Sequence, residues 1–266
     1  MKTTRNKQQD LSEIIGQEHA KRAIEVASVS KANVLLVGSP GAGKSMLAEA
    51  YQGLLGNGEP IEVIRVSISD TVKSLKQRIK DIEGRDTLII ADELPELKKD
   101  VLLYIKELAQ QNIPVVATMH PCPCGYLGDP RKECCCTPSQ ITKYRGNVSG
   151  SIWEVFDIHV EVPPVSLRDI CNNINGTSYM QETTENVLIR LIPSRERYRV
   201  NQDNLKPCQD GLNLLATACQ KLGFSAKAVS KILRISRAIA DLDQEDTIKP
   251  HHVSEAIQYR TLDRHV

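Results

Sequence analysis

The chain has 266 residues, of which 41% are apolar and 25% charged, with a formal net charge of +1. These figures suit one large or two modest globular domains with a sizeable core; they exclude a disordered chain and a surface whose net charge alone would name a polyanionic partner. No apolar run approaches the roughly 20 residues of a membrane span, the polar stretch Met1 to Asp10 does not read as a secretory leader, and one Trp with two Phe offers no base-stacking platform.

In chain order, Leu11 to Ser30 carries Ile14, Ile15, Ala23, Ile24 and Ala27 at helical spacing. The short apolar run from Asn33 to Val37 predicts a buried parallel strand. It leads into Gly38-Ser39-Pro40-Gly41-Ala42-Gly43-Lys44-Ser45, which fits G-x-x-x-x-G-K-[ST], and Met46 to Tyr51 then opens a helix. In that setting the glycines let backbone N–H groups wrap phosphate oxygens, Lys44 reaches the terminal phosphates and the Ser45 hydroxyl holds Mg²⁺. Gly38 to Ser45 together with Met46 are the expected ATP contacts.

Alternation from Ile61 to Ile68 predicts a strand, and Val72, Leu75, Ile79 and Ile82 place a helix over Thr71 to Glu83. Thr87 to Ala91 is a second buried strand ending in Asp92-Glu93; Lys98 to Gln111 is an amphipathic helix and Pro114 to Thr118 a third core strand. Two carboxylates at the carboxyl end of a strand beside the phosphate loop suit hydrolysis, Asp92 orienting Mg²⁺ and Glu93 activating water. Thr118 and His120, at the end of the third strand, are candidates to position that water. An irregular Cys- and Pro-rich stretch follows over 120–138, and Phe156 to Val162 forms the last strand.

Strands alternating with helices predict an α/β fold, a parallel sheet flanked by helices, over 1–165. Beyond that the pattern is helical: Ser178 to Ile192, Gln209 to Leu222, Ser225 to Leu242 and Pro250 to Tyr259. A small all-helical lid domain over 166–266 is the expectation. On a helical wheel Lys227, Lys231 and Arg234 form a basic stripe with Arg237 a quarter-turn away, and Lys227 is the expected phosphate contact of that lid.

Five of the eight cysteines lie between Cys122 and Cys136. In a nucleotide binder of cytoplasmic character, the expected compartment here, clustering of that kind reads as metal-bound or free thiols. Cys122, Cys124, Cys134 and Cys136 offer four thiolates for Zn²⁺; free thiols and a disulfide are the alternatives. Cys171, Cys208 and Cys219 read as small buried hydrophobes.

The strings at 10–27, 33–48, 91–97 (ADELPEL), 121–150, 156–166 and 222–243 together cover nearly the whole chain, and with them it resembles the magnesium-chelatase-like AAA+ ATPases of the YifB/ComM type. The resemblance implies a P-loop AAA+ core with a helical lid, ATP and Mg²⁺ as cofactors, and homo-oligomeric rings, commonly hexamers, in which one subunit completes its neighbour's site. In that type ATP hydrolysis is coupled to DNA branch migration, and in the chelatase branch to metal insertion into a porphyrin. Departures are expected to matter. Val155 stands where the family's neighbour-reaching arginine lies, a finger worth ~10³–10⁵ in rate. His120 replaces an Asn, and Lys227 an Arg of the lid, keeping charge without the planar fork. The pore-loop insertion before Asp92 is largely missing and the hairpin before the third core strand is reduced to Gln110 to Ile113; the Lon-like amino-terminal domain of longer relatives is not expected in this chain. Three readings follow: an ATP-driven ring acting on DNA, an ATP-binding switch with little hydrolysis, and a chelatase-like motor subunit, against which the Cys-rich string speaks.

Overall fold

The structure, a computed structural model, describes residues 9–82, 84–174, 181–260 and 262. The expected helix positions Ser178 to Met180 lie outside them, as do Glu83 and the first eight residues. A single turn of 3₁₀ helix, Leu11–Glu13, precedes α1 (Glu18–Ser30). The continuous helix expected from Leu11 is thus broken, because Gly16 and Gln17 both adopt left-handed φ near +60°. Then come β1 (Val34–Gly38), α2 (Lys44–Leu55), β2 (Glu62–Val66), α3 (Val72–Lys80), β3 (Thr87–Ala91), α4 (Lys99–Gln110) and β4 (Val115–Met119). After the Cys-rich stretch follow α5 (Pro138–Gly146), α6 (Gly150–Trp153) and β5 (Ile158–Val162). The helices beyond are α7 (Leu167–Ile174), α8 (Thr184–Asn201), α9 (Gln209–Leu222), α10 (Ala226–Leu242) and α11 (Pro250–Gln258).

The five strands form one parallel sheet in the order β2-β3-β4-β1-β5. Alternation along each strand splits the apolar residues between two cores. Val34 and Leu36 of β1, with Leu88, Ile90 and Val160, face α1 and α2, whereas Leu35, Val37, Ile89 and Ala117 face α3, α4 and α6. The carboxyl-terminal helices add to the first face: Leu191 of α8, Ile232, Ile235 and Ile239 of α10, and Val253 of α11 join its core. Among the described residues no helix is long and apolar enough to cross a membrane.

Capping sets the helix starts. Thr71, Thr137, Thr183 and Ser225 each accept a backbone N–H of the helix that follows, offsetting donors with no intrahelical partner. α8 begins six residues later than the apolar pattern predicts and runs on through Pro193 to Asn201. The proline withholds a donor from Ile189, a residue 71% exposed, so water can satisfy that carbonyl and the helix persists.

Candidate nucleotide-binding site

β1 delivers the chain to the carboxyl edge of the sheet, where the loop from Gly38 turns into α2. Gly43 caps α2 at φ +97°, a conformation that a Cβ-bearing residue adopts only under strain. The turn leaves the N–H groups of the first turn of α2 facing the loop, the arrangement that favours an anion. Lys44, the first residue of α2, is buried, and its Nζ donates to Gly38 O at 2.8 Å and Ser39 O at 3.2 Å. Burial lowers its pKa, opposed by the charges of Glu93 and Asp92. Ser45 is exposed, and Met46 is half-buried against the core. Gln17, at the foot of α1, donates through Nε2 both to Ala42 O at 3.2 Å and to Pro163 O at 2.5 Å.

The acid pair lies at the end of β3, two strands from β1. Asp92 continues the ladder by donating its N–H to Val66 O, whereas Glu93 breaks away at φ +49°. Buried Thr118 holds both: its hydroxyl accepts the Glu93 N–H at 3.2 Å and donates to Asp92 Oδ1 at 3.3 Å. His120 Nδ1 is 2.9 Å from Glu93 Oε2. Burial raises the Asp92 pKa, countered by Arg65 and the Thr118 hydroxyl and reinforced by Glu93. The structure thus brings Lys44, Asp92, Glu93, Thr118 and His120 to one end of the sheet. Sequence reasoning missed Arg65 of β2, whose Nη2 is 2.5 Å from Glu49 Oε1 and whose Nη1 is 3.9 Å from Asp92 Oδ2. The available signal was a single cation in the strand beside the acid-bearing one, whose other charge is Glu62 at its start.

The stretch between β4 and α5 folds back over the same edge. Cys122, Cys124, Cys134 and Cys136 place their sulfurs within 4.8 Å of one another, and all eight cysteines are free thiols. The Cys124 thiol is drawn down to about 6, first by the Tyr126 N–H. Asp129, between the two Cys pairs, accepts from Arg131 Nε at 3.0 Å and Nη2 at 2.7 Å, which holds its carboxyl well below the usual range. Arg131 Nη2 also donates to Ser39 Oγ at 3.1 Å. These two residues went unread in the sequence, where they look like loop charges. Cys171 is exposed and Cys208 half-buried, against expectation, whereas half-buried Cys219 packs against the core.

Lys227 is not brought to the phosphate loop. It sits in the first turn of α10, exposed, with Nζ 2.9 Å from Glu154 Oε2. Lys231, one turn on, is nearly enclosed, with Nζ 2.9 Å from Asp157 Oδ1, 3.1 Å from Val155 O and 3.0 Å from Phe156 O. Asp157 also accepts the Asn33 N–H at 2.9 Å. Asn33 precedes β1 and Asp157 precedes β5, so this cluster occupies the amino edge of the sheet, opposite the loop. A groove of about 1050 Å³ opens there, lined by Lys106, Val155, Arg195, Lys227, Lys231 and Arg234. Arg237 leaves the stripe altogether: it is fully buried, pairs with Asp241 at 2.9 Å and donates to the carbonyls of Glu245 and Asp246.

Comparison with known proteins adds the lineage. The family model described as magnesium chelatase, subunit ChlI, matches residues 10–89 and 83–170, and the one described as magnesium chelatase, subunit ChlI C-terminal, matches 193–260. A Haemophilus influenzae protein named competence protein ComM is 30% identical over 96% of this chain and 60% of its own length. The Escherichia coli K12 protein YifB is 28% identical over 97% of this chain and 61% of its own. A putative Lon protease homologue of Thermoplasma volcanium is 28% identical over 56% of this chain and 29% of its own. The chain therefore spans about three fifths of the length of the first two relatives.

Proposed function

This chain belongs to the magnesium chelatase subunit ChlI family, and from that premise we infer that it binds ATP in the loop from Gly38 to Ser45 and hydrolyses it with Mg²⁺. The observation that carries the reading is the meeting of Lys44, Asp92 and Glu93 at one edge of the sheet. The N–H groups of the loop and of the first turn of α2 hold the phosphates, with Met46 closing that turn, and Lys44 exchanges its loop carbonyls for the terminal phosphates. Ser45, which is exposed, and Asp92, whose half-buried charge a dication would favour, are the residues that would hold Mg²⁺. The ion neutralises phosphate charge when bound. Glu93 takes the proton of the attacking water, while His120 and Thr118 fix its carboxylate and backbone.

The same proposal covers assembly. Lys227 lies across the sheet from the loop of its own chain, which suits a homo-oligomeric ring, hexameric as the resemblance implies, where the groove of one copy faces the phosphates of the next. Cations around Val155 then stand in for the missing arginine. DNA is the partner proposed for such a ring, the cytoplasm its compartment, and Zn²⁺ the ion assigned to Cys122, Cys124, Cys134 and Cys136. Val155 itself favours a second reading, an ATP-gated switch that hardly turns over; the chelatase-like motor subunit has no such observation behind it.

Steady-state ATP turnover beside binding of a fluorescent ATP analogue tests this. Glu93→Gln is expected to lower turnover by about a hundredfold or more and to retain binding. Binding without turnover in either protein selects the switch, and absence of binding overturns both.

A further inference from the structure

The span from Pro121 to Thr137 contains neither helix nor strand, and only Cys122, Gly125 and Asp129 are buried. A segment with so little core has to be held by something else. Its four sulfurs fit that need. Cys122 and Cys124 are 3.4 Å apart, and Cys134 is 3.6 Å from each. Zn–S bonds of about 2.3 Å in a tetrahedron require S···S edges of about 3.8 Å. The Cys124 N–H points at Cys136 Sγ at 3.4 Å, the kind of outer hydrogen bond that orients a thiolate ligand.

What the staple would hold is the phosphate loop itself. Gly125, directly after the first Cys pair, lies against Pro40. A Cβ there would come within 2.8 Å of Pro40 Cδ, and its φ is +85°, so the close approach requires glycine. Farther along, Asp129 and Arg131 form a rigid two-pronged pair whose guanidinium donates to Ser39 Oγ at 3.1 Å and Pro40 O at 3.4 Å. The cysteine cluster brackets a nine-residue span, 125–133, and both contacts to the loop come from within that span.

We propose that Zn²⁺ on Cys122, Cys124, Cys134 and Cys136 keeps this span seated on Ser39 and Pro40, with Arg131 as the positioning residue, so that ATP affinity depends on the metal. The proposal rests on the reading that the loop binds ATP and the thiols bind zinc. Without the ion the span regains its freedom, Arg131 leaves Ser39, and nucleotide binding has to re-form the loop at its own expense.

The test measures zinc by elemental analysis and the dissociation constant of a fluorescent ATP analogue, before chelation, after it, and after Zn²⁺ is returned. Wild type is expected to carry one zinc per chain and to bind about tenfold more weakly without it, the size of one lost charge-assisted hydrogen bond, with full recovery. Arg131→Ala is expected to keep its zinc, to bind like the stripped wild type and to ignore the metal. Cys134→Ser loses zinc and behaves as the stripped protein. Unchanged affinity in a stripped protein that had held zinc overturns the coupling alone. A protein that never holds zinc overturns the metal assignment, and a zinc-loaded protein that binds no analogue overturns the nucleotide reading and this proposal with it. Loss of helical circular dichroism on chelation also overturns the proposal, since the metal would then support the whole fold.

Discussion

The two edges of the sheet are built from different materials. At the carboxyl edge the loop itself is mostly backbone, with glycines, a lysine held by loop carbonyls and two adjacent carboxylates beside it. At the amino edge it is crowded with long cations, and the position flanked by Lys227 and Lys231 carries the aliphatic Val155. Bare backbone with a buried lysine suits a phosphate that comes and goes. Lys231, satisfied by one carboxylate and two carbonyls, has no capacity left for a ligand, whereas exposed Lys227 does. The same residue type therefore sits in three settings in this chain, set apart by its partners.

Exchanging the lysines sharpens that contrast. Lys44→Ala is expected to weaken ATP-analogue binding about a thousandfold, the loss of about 4 kcal/mol of charge-assisted contacts, while Lys227→Ala leaves the affinity of dilute protein where it was. An equal loss in both, measured by fluorescence titration, would erase the distinction between the edges. Lys231→Met is expected to act on stability, by about 3 kcal/mol in chemical denaturation, because Asp157 keeps its burial and loses its partner. A variant as stable as wild type would return Lys231 to the ligand-binding class.

The smallest effect expected is one of pH, again away from the phosphate edge. Burial, aided by His251, pushes the His252 pKa from 6.5 down to about 4, and its Nδ1 accepts the Lys249 N–H that starts α11. The unfolded chain takes up a proton between about pH 6.5 and about pH 4 that the folded site refuses, so stability falls as pH drops through that window and is flat above it. His252→Asn is expected to flatten the profile of melting temperature against pH; a slope unchanged in that variant would assign it to another group, such as fully buried His159.

Much of the carboxyl edge was readable in the sequence, because its chemistry follows chain order: apolar run, glycine loop, lysine, apolar run, acid pair. The strand from Thr87 to Ala91 and the helix from Gln209 to Leu222 have the predicted bounds. Local pattern failed where packing partners come from afar. A helical wheel puts Lys227 and Lys231 on one face without saying which edge of the sheet that face meets. It also places Arg237 near the stripe, although Asp241 and the Glu245 and Asp246 carbonyls draw it into the interior. α5 to α7 were missed because they are short, and α5 has no buried residue to give it an apolar period.

Gln17 has a single side-chain amide nitrogen, and it serves two carbonyls that are far apart in sequence, Ala42 in the phosphate loop and Pro163 where the chain quits the sheet for its helices. A displacement of either carbonyl by an ångström strains or snaps one of those bonds. The posture of the loop and the angle at which the helical region departs are thus geared together by one glutamine, held at a backbone angle that only its surroundings enforce.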